Sequence, residues 1–202
     1  MTFNEFVEKH DKEGAIILLE GKREVLEADK AKLTALGRLL ATHTRHMQFR
    51  SGNAEGADQL FSAGVAEIDH TRLHVITPYS THRKKTNLAF ESISLDDVNL
   101  AMEPEVVYQT KTNKKMAGLV DRLMKGEKSQ YTTKVQYIIR DTVKVTGTRK
   151  IKPATFAIFY DDLKNPRQGG TGHTMEICKN KKVTAIDQRM WMKWLEEEQP
   201  LS

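Results

Sequence analysis

Three glycines, two threonines, a histidine and a carboxylate fall within Gly169-Gly170-Thr171-Gly172-His173-Thr174-Met175-Glu176. Glycine has no Cβ, so its backbone N–H can approach an anion closely, and the start of a following helix adds partial positive charge. The stretch lies between an apolar run, Pro153 to Tyr160, that reads as a buried strand, and a short helical run, Met175 to Lys179, that leads into the apolar strand Val183 to Ile186. It is expected to be a phosphate-binding turn, with Glu176 one turn into the helix. A plain connection that uses glycine for tight turning is the alternative, since such motifs are weak alone.

Other strand ends carry similar chemistry. Ala15 to Leu19 is a continuous apolar run of strand length, followed by the loop Glu20-Gly21-Lys22-Arg23-Glu24. Met47 to Arg50 is a second short strand that turns through Ser51-Gly52-Asn53-Ala54-Glu55-Gly56-Ala57-Asp58, and Arg72 to Thr77 is a third, stopped by Pro78. Between them lie an amphipathic helix over about residues 28–46 and a helix carrying Ala57, Leu60, Phe61, Gly64, Val65 and Ile68. Strand, helix, strand, helix, strand implies parallel strands joined by right-handed crossovers. In such sheets ligands gather at the carboxyl ends of the strands.

The middle of the chain is less legible. Tyr79 to Lys85 is a basic loop with hydroxyls, and Ile93, Leu95, Val98 and Leu100 suggest one short element before Pro104. Residues 83–130 are expected to be an insertion, either an exposed excursion or a lid over the site. Lys114 to Lys125 reads as an amphipathic helix. Val135 to Val145 suits a helix with Arg140 and Asp141 near its middle, although its β-branched residues leave a strand open. A fourth strand, Thr155 to Tyr160, runs into the polar loop 161–168; a fifth, Lys182 to Ile186, precedes a helix from Gln188 to Glu198. Phe3 and Phe6 anchor an N-terminal arm or short helix over residues 1–13. The expected fold is a single α/β domain over 1–202, with a parallel sheet of five or more strands flanked by helices and a C-terminal helix within 188–202.

Composition narrows the class. With 39% hydrophobic and 29% charged residues the chain is globular rather than disordered. A formal charge of +5, from 32 basic and 27 acidic residues, favours a phosphorylated partner without arguing for nucleic acid. Cys178, the single cysteine, fits a reducing compartment and reads as a packed small residue. No run approaches membrane-spanning length and the polar start lacks a secretory signal, so a cytoplasmic protein with no membrane partner is expected. Met190, Trp191, Trp194 and Leu195 share one side of the last helix, either docking it or marking a contact between copies, and a dimer or tetramer is expected.

The order of these motifs resembles the SLOG superfamily, the Rossmann-like domain shared by the DNA-processing protein A group and the Lonely Guy phosphoribohydrolases. The resemblance covers roughly residues 14–187, leaves 83–130 unmatched, and is nearest to small bacterial and phage members. It rests on Gly21-Lys22-Arg23, on Arg50-Ser51-Gly52-Asn53-Ala54-Glu55-Gly56-Ala57-Asp58, on the strand end at Pro78, on Tyr137 to Asp141, and on Gly169 to Thr174. It implies a nucleotide or nucleotide-derived ligand held by Gly21, Lys22, Arg23, Ser51, Gly52, Asn53, Gly56, Asp58, Pro78, Gly169, Gly170, Thr171, Gly172, His173 and Thr174. In the phosphoribohydrolase branch a PGG-x-GT-x-x-E motif grips phosphate and supplies a catalytic carboxylate paired with an arginine, positions matched here by Glu176 and Arg140. Gln168 stands where that motif has proline, His173 where it has threonine, and Ile139-Arg140-Asp141 where it has His-x-Arg-Lys.

Three functions are compatible with these residues. One is cleavage of the N-glycosidic bond of a nucleoside monophosphate, with Glu176 stabilising positive charge on the ribose or orienting water. Another is a non-catalytic nucleotide sensor or sequestering protein. A third is single-stranded DNA binding, disfavoured because aromatics are 7% and fall mostly in predicted strands and helix faces. No cofactor is expected. Neither His43 with His46 nor His70 with His74 has clustered Cys or carboxylates at ligand spacing, so no metal is expected, and Asp161-Asp162 reads as a polar loop rather than a Mg²⁺ site.

Overall fold

The computed structural model describes residues 1–127 and 129–197. Six strands form one parallel sheet in the order β4-β3-β2-β1-β5-β6: β1 Ile16–Gly21, β2 Gln48–Ser51, β3 Leu73–Thr77, β4 Glu91–Ser94, β5 Phe156–Tyr160 and β6 Thr184–Ile186. The central strands β1 and β5 are buried along their whole length, which is why they read as unbroken apolar runs. One face carries α1 Phe3–His10, α2 Glu27–His43, α3 Ala57–Asp69 and α8 Gln188–Glu197, packed around Phe6, Leu36, Phe61, Phe156, Trp191 and Trp194. The other carries α4 Pro104–Lys111, α5 Lys114–Met124, α6 Gln130–Thr146 and α7 Gly169–Asn180. This is the expected Rossmann-like α/β architecture, with the chain building outward from β1 on one side and returning through β5 on the other. The gap between β1 and β5 at their carboxyl ends is the switch point where such folds bind ligands.

Several elements differ from the sequence reading. β4, Glu-Ser-Ile-Ser, is an edge strand with its first two residues exposed, so it lacks an apolar signature. Among its described residues the 83–130 region forms no lid. It adds β4 to the sheet and stacks α4 and α5 on α6 through Leu95, Val106, Val120, Val135, Ile139 and Val143. The spacing of four among those last three settles α6 as a helix despite its β-branched residues. Ser129 caps it, accepting from the Thr132 N–H at 3.2 Å while its own N–H donates to Thr132 Oγ1 at 2.8 Å.

The glycine-rich stretch is not a turn before a helix. α7 begins at Gly169, so the motif is the first helical turn itself. At the carboxyl end of the chain Trp191 and Trp194 are fully buried, and the Trp191 indole donates to the Phe159 carbonyl at 2.9 Å. They dock α8 on the sheet, and the reading of these aromatics as a contact between copies falls away. Glu198, with the rest of the expected C-terminal helix to residue 202, lies outside the described residues.

Candidate functional site

At the carboxyl ends of β1 and β2, backbone amides need partners where pairing stops. Asp58, in the first turn of α3, supplies them. It accepts from the Gly21 N–H at 3.1 Å, the Gly52 N–H at 3.1 Å and the Ala54 N–H at 3.3 Å, which locks the two loops together. Across the switch point Asp161 accepts from the Arg167 N–H at 2.8 Å and shapes the loop before α7. Lys22 reaches Asp162 at 3.4 Å, while Arg23 stays exposed at the rim.

Beneath these loops lies a buried charge cluster. Arg140 directs Nε and Nη2 at Asp141 Oδ1, at 3.1 and 2.7 Å, and Nη1 at the Gly52 carbonyl at 3.0 Å. Lys144 Nζ lies 2.9 Å from Asp141 Oδ1 and 2.7 Å from Glu20 Oε2. Glu20, Asp141 and Lys144 are 3%, 2% and 0% exposed, so these are ionisable groups taken out of water, each depending on the others for its charge state. Burial would raise Asp141, but Arg140 and Lys144 hold it down to about 2. Glu20 goes the other way: burial first, then Asp141 and Asp58, push it up to about 8 against the pull of Lys144. Arg50, itself buried, donates to the Lys144 carbonyl at 2.9 Å and so satisfies an orphan carbonyl at the end of α6.

Glu20 has one hydroxyl neighbour that can accept a proton from it. Thr174 Oγ1 is 2.9 Å from Glu20 Oε1 and 3.0 Å from the Gly170 carbonyl oxygen. A hydroxyl has one proton to give. Both contacts are hydrogen bonds when Thr174 donates to Gly170 and the Glu20 carboxyl donates to Thr174. A carboxyl whose folded pKa lies above its unfolded value adds stability that is complete below the unfolded value, near 4.5, and is lost as pH rises through about 8. Glu20→Gln is therefore expected to gain melting temperature relative to wild type as pH rises from about 5 to about 8. Thermal melts across that range check this, and parallel curves would refute it.

Glu20, Asp58, Arg140 and Asp141 floor a pocket of about 480 Å³ at the switch point, with Lys144 beneath them. Lys22 and Arg23 stand on one rim and Gly169, Gly170 and Thr171 on the other, with Tyr137 and Ile138 as a side wall. The N-cap residue Gln168 makes no side-chain capping bond to α7, and Gly169, Gly170 and Thr171 of its first turn line the opening. Gly170 is required here, because a Cβ would sit 2.8 Å from Asp141 Oδ2. The Tyr137 ring lies against the Arg140 guanidinium at 5.4 Å, and its hydroxyl meets that of Tyr79 at 3.1 Å. An apolar groove of about 530 Å³ between α2 and α8 is larger, but it is remote from the strand ends and has no buried charged floor.

Of the residues singled out in the sequence, Gly21, Lys22, Arg23, Asp58, Arg140, Gly169, Gly170 and Thr171 line this pocket. The others do not. Ser51 accepts from the Asn53 N–H, Asn53 donates to the Arg83 carbonyl, and Gly56 packs on the Arg23 backbone. Pro78 is buried after β3, and Gly172 is buried within α7. His173 Nε2 lies 2.9 Å from Thr142 Oγ1, which Thr110 also reaches at 2.9 Å, so this histidine pins α7 to α6 and α4; burial lowers its pKa. Thr174 contacts the pocket only through Glu20. Glu176 is exposed and lines a separate depression with Met175 and Lys179. Because α7 starts at Gly169, Glu176 is two turns in and about 200° around the helix from Thr174. That removes it from the pocket.

No family model and no curated protein matches the chain. A solved structure of the DNA processing protein A from Helicobacter pylori, described for its single-stranded DNA binding mode, is similar at 11% identity and a TM-score of 0.48, over 94% of this chain and 75% of that one.

Sequence reading passed over Glu20, Tyr137, Ile138, Asp141 and Lys144 as site residues. Glu20 had a signal: it is a carboxylate closing a strand otherwise apolar from Ala15 to Leu19. Arg140, Asp141 and Lys144 also interrupt the face that α6 buries. Among the described residues no group of three His, Cys, Asp or Glu is placed to hold a metal ion, and no helix is long and apolar enough to cross a membrane.

Proposed function

We propose that the chain binds a nucleotide or nucleotide-derived ligand in the switch-point pocket, with a phosphate on the amino end of α7 and the base against Tyr137 and Ile138. The observation that carries this reading is the rim: the first turn of α7, Gly169 to Thr171, without a side-chain cap from Gln168, facing Lys22 and the exposed Arg23 across a cavity of nucleotide size. Tyr137 supplies an aromatic surface beside it. Binding without cleavage is the form favoured by the position of Glu176, since a carboxylate outside the cavity cannot stabilise a charge developing on a bound ribose. Asp141 is committed to two cations, and Glu20 to Lys144 and Thr174. These positions support a sensor or sequestering module over a phosphoribohydrolase.

Calorimetric titration with the four ribonucleoside 5′-monophosphates tests the reading, with base release followed in the same samples. Saturable binding of at least one, without release of base, is expected. Arg23→Ala should weaken it by roughly 10- to 100-fold, the value of a charge-assisted contact, while Glu176→Ala should leave it unchanged. Failure of all four to bind would overturn the reading. Tighter binding to a single-stranded oligonucleotide, falling steeply with salt, would replace it with nucleic-acid binding.

A further inference from the structure

The pocket floor is short of positive charge. Glu20 from β1, Asp58 from α3 and Asp141 from α6 face Arg140 and Lys144, so full ionisation leaves one uncompensated negative charge, and a proton on Glu20 brings the five groups to neutrality. The remaining groups around Glu20 do not alter this. Thr174 on α7 is neutral, the Cys178 thiol is pushed up to about 12 by burial, and at the rim Lys22 and Arg23 stand against Glu24, Asp161 and Asp162. A phosphorylated ligand brings further negative charge into the same cavity. The anion and an ionised Glu20 would oppose each other across the pocket floor, where Glu20 is only 3% exposed and its charge is poorly screened.

We propose that ligand binding in this pocket is coupled to protonation of Glu20, so that in alkaline solution, where the free protein has lost this proton, each phosphorylated ligand enters together with one proton. The inference rests on the nucleotide reading above, and it concerns how that site is regulated. A protonated Glu20 can donate to Thr174 Oγ1, 2.9 Å away, while Thr174 donates to the Gly170 carbonyl at 3.0 Å, and these contacts connect the floor directly to the first turn of α7. Rising pH removes the proton and leaves Glu20 facing Lys144 Nζ, which Asp141 already engages at 2.9 Å. Affinity therefore falls with rising pH. The nearby histidines do not contribute above neutrality: His82, lowered to about 4 by burial with Arg140 and Arg83 adding to it, and His173, lowered by burial, are both neutral there. The ligand phosphate is itself fully ionised above about pH 7, its second pKa being near 6.

Titration calorimetry of the full chain with the best-binding nucleoside monophosphate, in buffers of different ionisation enthalpy, measures the protons exchanged. Wild type is expected to take up few protons at about pH 7 and close to one per site at about pH 9, with Kd weakening by up to about tenfold per pH unit above the free-state pKa of Glu20. Glu20→Gln should bind with no proton uptake and a flat pH profile. Thr174→Val, which removes the hydroxyl that accepts the carboxyl proton, should move the uptake to lower pH and serves if Glu20→Gln does not fold. Wild-type binding with no proton uptake, or uptake that survives in Glu20→Gln, would overturn the coupling and leave nucleotide binding standing. No binding by any of the four monophosphates overturns the nucleotide reading and the coupling with it.

Discussion

Replacing Asp141 with asparagine is expected to lower the free energy of unfolding by about 3–5 kcal/mol, the usual cost of removing one partner from a buried ion pair. For a domain of this size the melting temperature should drop by roughly 6–20 °C. Asparagine keeps the shape of the side chain but removes the charge that offsets both Arg140, with Nη2 at 2.7 Å, and Lys144, with Nζ at 2.9 Å. Two cations then face Glu20 and Asp58 alone in a region with almost no solvent. Burial works against Asp141 being charged, and only these two cations hold its pKa down to about 2. Its contribution is thus complete above the unfolded value, near 3.8, and is lost as pH falls towards 2. The difference between wild type and Asp141→Asn should accordingly shrink in acid. Adding Lys144→Met to the variant should recover part of the loss, because the second change removes a buried cation that has lost one of its two carboxylate neighbours. Chemical unfolding of the two single variants and the double variant decides this, and additive losses would contradict the shared cluster.

Gly56→Ala should destabilise the fold by roughly 2–6 kcal/mol, combining backbone strain with overpacking. Gly56 has φ +83, and a Cβ there would lie 2.0 Å from the Arg23 carbonyl oxygen. Gly126 offers an internal comparison. Its φ is +84, but a Cβ would meet nothing within 4 Å, so Gly126→Ala carries the backbone term alone, roughly 1–2 kcal/mol. A gap between the two variants measures how tightly the loop after β2 is pressed on the loop after β1, where Lys22 and Arg23 stand. Nucleotide affinity should fall in Gly56→Ala and not in Gly126→Ala, because only the first change moves the rim. Equal effects of the two in urea unfolding would show that the loops do not need this close approach.

Site legibility varied with how much of a residue's role is local. Lys22, Arg23 and Gly169 to Thr171 were found because loops at strand ends are marked by composition where an apolar run stops, and this needs only neighbours in sequence. Asp58 was found for the same reason, but its role as a clamp on Gly21, Gly52 and Ala54 depends on two loops meeting. Glu176 was misplaced by the length of one element. The glycines disguised a helix start at Gly169, and a shift of a few residues in that start turns a side chain from the cavity to the outside. β4 escaped notice because an edge strand needs no apolar face.

Sequence alone determined the alternation of buried strands and amphipathic helices, and with it the parallel sheet and the end of the sheet where a ligand can sit. Those features follow from apolar periodicity, which every segment carries within itself. Only the tertiary structure decided which ionisable groups floor the cavity. Glu20 closes a strand near the start of the chain, while Asp141 and Lys144 lie one turn apart on a late helix, and nothing in either segment specifies the other. Their charges acquire meaning at 2.7 and 2.9 Å in a space closed to water, where an unbalanced ion is too costly to keep and a proton on Glu20 restores the balance.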